Sequence, residues 1–436
     1  MKEFILKLDF LICGLIIALF FGSDVNANDE KFFSDAKKYT VEILTRIKIP
    51  FSEDEKGSSS GAGFLIDKNR GWILTNAHVV SYSPSVSQIA FYDQDYQEVE
   101  KVYVDAYTDV AILKISQKGI PETAEEAILE CNIFPSIGHP VGAFGHPWGY
   151  SYTGTRGIIS GITLGIDGGM LQTDAPINEG NSGGPLISMK SGKVIGINTE
   201  VYDDDSNQNT NFSERIDHVC KVLQLLKKDK DPSPPKLDII FQTDIEERNK
   251  LIIAKSYSKT ISLEEGDLIL GIEGQSLDIK NERELVHALR GNLNNFNLRI
   301  LRDGKKITIP GKLLPHELVT EAKGLFFSGI LISDHWFRDM EELNLPKFIV
   351  HYVESGSAAS VEGISQSDYV VSIGGQSFDD LNEIYKYLQV LQNTNKKAVI
   401  KLKAASGSSG GFFSYIESSL KVEELMIIGG NENNSK

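Results

Sequence analysis

Apolar residues in this chain fall into short runs rather than long helical stripes. Phe64-Leu65-Ile66, Trp72-Ile73-Leu74, Val110-Ala111-Ile112-Leu113 and Val194-Ile195-Gly196-Ile197 are separated by stretches rich in Gly, Asn, Asp and Ser. Runs of that length bounded by turn-forming residues predict strands, and a succession of them predicts barrels or sandwiches. The pattern holds from about Val41 to Ile216. Helical spacing replaces it at Val219, Val222, Leu223, Leu225 and Leu226, and Asp231-Pro-Ser-Pro-Pro235 ends that helix. Proline lacks the amide that a helix interior needs, so a stiff linker is expected over 231–236, closing a first domain at 41–230.

Beyond the linker the chain repeats itself. Glu265-Gly-Asp-Leu-Ile-Leu-Gly-Ile-Glu-Gly-Gln-Ser-Leu-Asp278 returns as Gln366-Ser-Asp-Tyr-Val-Val-Ser-Ile-Gly-Gly-Gln-Ser-Phe-Asp379. Each copy is followed by a helical segment (Glu284–Leu289, Glu383–Leu388) and then by an alternating strand (Asn297–Leu301, Ala398–Leu402). Two small α+β units are therefore expected, at 237–315 and 323–404. The segment 405–436 opens with Gly-Ser-Ser-Gly-Gly and reads as a loose tail, with at most one further element between Phe412 and Ile428.

The amino terminus carries Lys2 and Lys7, an apolar run from Phe10 to Phe21, and Val25-Asn26-Ala27. That order of charge, apolar core and small residues reads as a secretory leader over 1–27, followed by an arm at 28–40. The run is shorter than a bilayer span requires, which sets the rival reading, an uncleaved anchor, second. Export leaves Cys131 and Cys220, which carry no metal-ligand spacing and are taken as buried or incidental; an oxidising compartment would permit them to pair, which sequence leaves open, and no metal site is expected. With 60 acidic against 44 basic residues the surface repels phosphate backbones, so nucleic acid is excluded as a partner.

Candidate chemistry enters at Gly180-Asn181-Ser182-Gly183-Gly184. A serine hydroxyl attacks carbonyls only when a base takes its proton and donors hold the oxyanion. Glycines around Ser182 allow a sharp turn that aims the Gly180 and Ser182 amides at one oxygen. Leu74-Thr-Asn-Ala-His78-Val-Val80 places a histidine after a strand, and Thr108-Asp109-Val110 places an acid at the head of another. Each residue alone would read as structural. In the order His78, Asp109, Ser182 they read as base, orienting acid and nucleophile.

These motifs, together with Gly61-Ala-Gly-Phe-Leu-Ile66, Gly145-His-Pro-Trp-Gly149, Gly157-Ile-Ile-Ser-Gly161 and Thr173–Ser182, resemble the HtrA (Deg) family of chymotrypsin-like serine proteases. The resemblance spans about residues 37 to 404. It implies a mostly β fold: a double β-barrel protease domain with the triad in the cleft, then two PDZ domains. It implies no cofactor, an oligomer (typically a trimer, with Phe32, Phe33 and Tyr39 as contacts) and a periplasmic address, with a membrane-anchored form facing the periplasm as the rival. Ile177, Ile197 and Asn198 are the implied pocket residues, favouring a small aliphatic side chain before the cut bond. The expected activity is ATP-independent cleavage of misfolded exported proteins, with chaperone activity alongside; a silent PDZ-bearing chaperone or scaffold is the alternative. Lys323–Ile332 is the expected site for C-terminal peptides in the second unit, and Pro235–Phe241, lacking glycine, is a poorer one. Glu179 stands where the family usually has proline, Phe212–Ile216 replaces a more apolar stretch, and Asp203-Asp204-Asp205 occupies a switching loop.

Overall fold

A computed structural model describes residues 24–429, apart from 52–53, 150, 164–168, 202–209, 243–249, 276–278, 317–321, 335–344 and 406–412. The expected leader, except its last residues, and Asp203–Asp205 lie outside the described residues. The arm is a helix, α1 (Asp24–Tyr39), and leads directly into β1 (Thr40–Ile47). Then come β2 (Gly57–Asp67), β3 (Trp72–Thr75), the short α2 (Ala77–Val80), β4 (Val86–Phe91), β5 (Gln97–Glu98), β6 (Glu100–Asp105) and β7 (Val110–Lys114). These strands form one seven-stranded antiparallel sheet in the order β5-β4-β1-β2-β3-β7-β6. The next six, β8 (Pro140–Gly145), β9 (Thr153–Ile162), β10 (Leu171–Thr173), β11 (Pro185–Ser188), β12 (Val194–Val201) and β13 (Asn211–Arg215), close into a barrel.

The short apolar runs become strands because they are buried on both faces. β3 and the last seven residues of β2 show no exposed position, so their hydrophobicity is continuous rather than alternating. Helix α3 (Ile216–Leu226) carries the predicted stripe: Ile216, Val219, Val222 and Leu223 face the core of the first sheet. Cys220 on the same face is disulfide-bonded to Cys131, 89 residues earlier. Sequence alone left their pairing open. Nothing in the local sequence around either one announces the other.

The repeat is realised in both units. The first contains β14 (Pro235–Lys236), β15 (Ile239–Phe241), β16 (Leu251–Ser256), β17 (Leu268–Ile272), α4 (Glu282–Leu289), β18 (Phe296–Arg302), β19 (Lys305–Gly311) and β20 (Leu314–Pro315). The second repeats the order: β21 (Lys323–Phe327), β22 (Ile330–Asp334), β23 (Phe348–Val353), the short α5 (Ala358–Val361), β24 (Tyr369–Ile373), α6 (Leu381–Asn393), β25 (Lys397–Ala405), β26 (Phe413–Lys421) and β27 (Met426–Gly429). β20 pairs with β14 as β27 pairs with β21. Residues 413–429 are therefore not a loose tail: β26 pairs with β25 from Lys397↔Lys421 to Ala405↔Phe413, and β27 is an edge of the second unit's sheet. The Gly/Ser run is the connection inside a hairpin, which sequence alone cannot distinguish from the start of a tail. In the linker, Pro232, Ser233, Pro234 and Pro235 are buried, and the Pro232 carbonyl accepts from Tyr103 of the protease domain and Arg290 of the first unit.

The duplicated aspartates expose a difference between the units. Asp267 and Asp368 each cap a turn, accepting from the amides of Glu264 and Ser365 at 2.8 Å, and each backbone carbonyl accepts from the preceding strand at 2.8 Å. Burial works against the charge of Asp267, but Arg302, at 2.7 and 2.8 Å, helps to hold its carboxyl below the ordinary range. Burial pushes Asp368 up. Asp267 thus adds stability above the ordinary carboxylate pKa and loses it as pH falls through the lowered folded value, whereas acidification favours folded Asp368. In urea melts at neutral pH, Asp267→Asn is expected to cost roughly 2 kcal/mol. Asp368→Asn should cost less than about 1 kcal/mol, since an amide oxygen still accepts from Ser365. Equal losses would contradict this assignment.

Candidate active site

Three elements deliver the candidate residues. His78 lies in α2, one turn of helix entered directly from the buried strand β3. Asp109 ends the hairpin tip between β6 and β7, with φ of 52°, a conformation that must be held by its surroundings in a non-glycine residue. Ser182 sits in the turn before β11. The Ala62 amide donates to the Ser182 carbonyl at 2.8 Å, and Gly61 is pressed between that carbonyl and Val79 of α2. A side chain at residue 61 would drive the serine turn and the histidine helix apart.

Asp109 is the organiser. Its Oδ2 lies 2.8 Å from His78 Nδ1, and its Oδ1 accepts from the His78 amide at 2.9 Å. The Thr199 hydroxyl donates to Oδ2 at 2.6 Å and the Tyr82 hydroxyl to Oδ1 at 3.3 Å, while the Asn76 amide group donates to the Asp109 carbonyl at 2.8 Å. Burial disfavours the carboxylate, yet the facing His78 and these donors hold it below its ordinary pKa. Ser182 joins the constellation through Thr199, whose carbonyl accepts the Ser182 hydroxyl at 3.1 Å. Thr199 and Tyr82 escaped the sequence reading. Thr199 lies two residues beyond the Val194–Ile197 run, and its position beside a candidate acid at the tip of the β6–β7 hairpin is not encoded locally.

The serine turn is braced on both sides. The His146 amide donates to the Gly180 carbonyl at 3.1 Å, the Gly183 amide to Asn198 at 2.8 Å, and the Asn198 amide to Gly184 at 2.9 Å. Gly180 (φ 94°) and Gly183 (φ 84°) adopt left-handed backbone against neighbours that leave no room: an added Cβ would lie 2.2 Å from the His146 carbonyl oxygen or 2.1 Å from that of Ala62. Among the described residues, the amides of Gly180 and Ser182 have no hydrogen-bond acceptor. Of the implied pocket residues, Ile177 packs in the second barrel's core and Ile197 in the larger core shared with the first sheet, both sealed from solvent. The buried Asn198 side chain donates to the carbonyls of Pro185 and Phe144. Glu179 is exposed beside the turn. No group of His, Cys, Asp and Glu able to hold a metal occurs among the described residues.

The unusual stretch Phe212–Ile216 gains a purpose. Glu214, buried in β13, meets His218 Nδ1 at 3.1 Å and Arg283 of the first repeat unit at 3.1 Å. The second unit also touches the protease domain: Phe51, between β1 and β2, is buried with Phe326 and Leu331, and its ring lies 5.1 Å from that of His351. Lys56 pairs with Glu354 at 2.6 Å. In this unit both edges of β21 and of β22 are paired, β21 by β22 and β27, β22 by β21 and β23. The expectation that Lys323–Ile332 presents a strand edge to a peptide is corrected accordingly. In the first unit, among the described residues, β15 pairs with β16 and forms an edge.

Comparison with known proteins agrees with this geometry. Residues 61–197 match the family described as trypsin-like peptidase domain. A probable periplasmic serine endoprotease, DegP-like, from Pseudomonas putida F1 is 27% identical over 391 residues, covering 83% of this chain and 79% of that protein. A probable periplasmic serine protease, do/HhoA-like, from Haemophilus influenzae is 26% identical over 354 residues, covering 76% and 73%. The solved structure of the HtrA-type protease AlgW with a tripeptide superposes with a TM-score of 0.51 at 25% identity, covering 64% of this chain and 96% of that one.

Proposed function

We propose that this chain is a periplasmic serine endopeptidase of the DegP/HtrA kind, with His78, Asp109 and Ser182 as its catalytic triad, acting on unfolded or misfolded exported proteins without ATP. The observation that carries the reading is the 2.8 Å contact between Asp109 and His78 Nδ1, with Thr199 joining the same carboxylate to the Ser182 hydroxyl. In the reaction the Ser182 oxygen turns from Thr199 and attacks the scissile carbonyl carbon as its proton passes to His78 Nε2. Asp109 fixes the Nδ1–H tautomer and stabilises the imidazolium. The Gly180 and Ser182 amides receive the oxyanion, and their lack of other acceptors supports this role. His78 then protonates the leaving amine. Water, activated by the same imidazole, releases the acyl group.

The test is cleavage of unfolded casein without nucleotide by the mature chain, with Ser182→Ala as control. Loss in the control supports the reading, and equal cleavage by both would place the activity elsewhere. Gly180→Ala probes the oxyanion site separately. The added methyl meets the His146 carbonyl, so the amide turns away, and kcat is expected to fall about 10²- to 10³-fold in steady-state peptide assays with KM little changed. An unchanged kcat would remove Gly180 from the site.

The repeat units are proposed as PDZ domains that bind or position substrate. A C-terminal peptide entering the second unit must displace a paired strand, whereas the β15 edge of the first needs no such exchange. Homo-oligomerisation, as a trimer, is proposed from the resemblance. Phe32 and Phe33 pack against Gly192, Gly142 and Gly154 of the same chain, and Tyr39 is core, so contacts between copies would use other parts of these surfaces.

A further inference from the structure

We propose that Arg290, which belongs to the first repeat unit, is a positioning residue for Asp109 and so makes that unit a part of the catalytic apparatus. The inference rests on the triad reading above. Asp109 closes a hairpin tip of four residues, Ala106 to Asp109, between the paired positions Asp105 and Val110. The tip is shaped by one side chain. Asp105 Oδ1 accepts from the amides of Tyr107 and Thr108 at 3.0 and 3.2 Å, and Oδ2 accepts from the Thr108 hydroxyl at 2.7 Å and the Tyr103 hydroxyl at 3.0 Å. Arg290 completes the shell, with Nη2 2.5 Å from Asp105 Oδ2 and 3.3 Å from the Thr108 hydroxyl. Its Nη1 donates to Pro232 of the linker at 2.6 Å and to Tyr103 at 3.0 Å.

Asp105 and Arg290 are each 2% exposed. A carboxylate so buried keeps its charge only beside a counter-charge. Burial opposes ionisation of Asp105, and Arg290 is the nearest influence that reverses it. Without the guanidinium, Asp105 either takes a proton or turns toward water. Either change loosens its hold on Thr108, the residue next to Asp109. The geometry also needs the planar fork, because one guanidinium serves four acceptors that lie in different directions.

The unit is held to the protease on other sides as well. Lys221 of α3 donates to the carbonyls of His287 and Ala288, at the C-terminal end of α4 where a cation is favoured. Arg283 pairs with Glu214, and Tyr107 of the tip packs on the unit's own core. Arg290, immediately after α4, is therefore delivered to the hairpin by a docked element rather than by a swinging domain.

The test compares Arg290→Met and Arg290→Lys with the unaltered full chain, well below their melting temperatures, by peptide kinetics across pH and by the downfield proton resonance of the His78 Nδ1–H. Positioning predicts a kcat at least about 10-fold lower in Arg290→Met with KM within about 2-fold, as expected when only transition-state contacts suffer. It also predicts an acidic limb moved to lower pH, because a displaced carboxylate stabilises the imidazolium less, and a weakened resonance. Arg290→Lys should recover part of kcat. A folded Arg290→Met with native kcat, pH profile and resonance would overturn the proposal. If Arg290→Met does not fold, Arg290→Lys decides by the same readouts. Absence of Ser182-dependent cleavage in the unaltered chain would sink the triad reading instead, while the resonance would still decide whether Arg290 sets the Asp109–His78 contact.

Discussion

Ser182→Ala is expected to lower kcat by about 10⁶-fold on a peptide substrate, the largest effect of any single substitution in this chain. Removing the hydroxyl removes the atom that forms the acyl bond, and no other group can replace it. What survives is the modest acceleration due to substrate binding and to the Gly180 and Ser182 amides, which the substitution leaves in place. Stability should change by no more than about 0.5 kcal/mol. Ser182 is only partly buried and its one hydroxyl bond, to Thr199, leaves a carbonyl that water can satisfy. Retention of more than about one per cent of kcat in a preparation free of host proteases would be incompatible with Ser182 as the nucleophile.

Asp109→Asn is expected to lower kcat by about 10⁴-fold while the fold persists. The carboxylate accepts from donors on both oxygens: His78 N and Tyr82 on Oδ1, His78 Nδ1 and Thr199 on Oδ2. An amide offers one acceptor oxygen and one NH₂, so one of these pairs must face a donor with a donor. If the NH₂ turns to His78, the ring responds by presenting a lone pair at Nδ1 and carrying its proton on Nε2. The nitrogen that should receive the Ser182 proton is then already occupied. Titration of the imidazole tautomer by ¹⁵N NMR would check the cause, and steady-state kinetics the effect. A variant with native kcat would show that Asp109 does not orient the base.

The parts of the site that were legible in the sequence are those with local backbone demands. The Gly180–Gly184 turn needs positive φ at two positions within five residues, and only glycine meets that cheaply, so the motif announces itself. His78 and Asp109 were legible as strand-end residues in order, and the repeat was legible because Asp267 and Asp368 must cap the same turn twice. Contacts that join distant segments left no such trace. Arg290 reads as an ordinary cation at a helix end, Asp105 as an ordinary turn acid, and only the docking of α4 on the β6–β7 hairpin makes them a pair. A pocket wall leaves a similarly weak trace: Ile177 and Ile197 are apolar and buried, and apolar side chains fill cores in the same way. Of β26 and β27 the sequence suggested one further element at most, because a Gly/Ser run suits a hairpin connection and a solvated tail equally well.

The bond between Cys131 and Cys220 gives the molecule an order of events. Thiols stay reduced in the cytosol and couple after translocation. Without the bridge, α3 is held by apolar packing and by polar contacts such as those of His218 and Lys221. Afterwards it is anchored covalently one residue ahead of Lys221, which grips the end of α4 and with it the unit that carries Arg290. A bridge closing a loop of this length restricts the unfolded chain by an amount on the order of 4 kcal/mol. On the proposed periplasmic assignment, the newly made polypeptide is thus least secured before export and gains this bridge only after it.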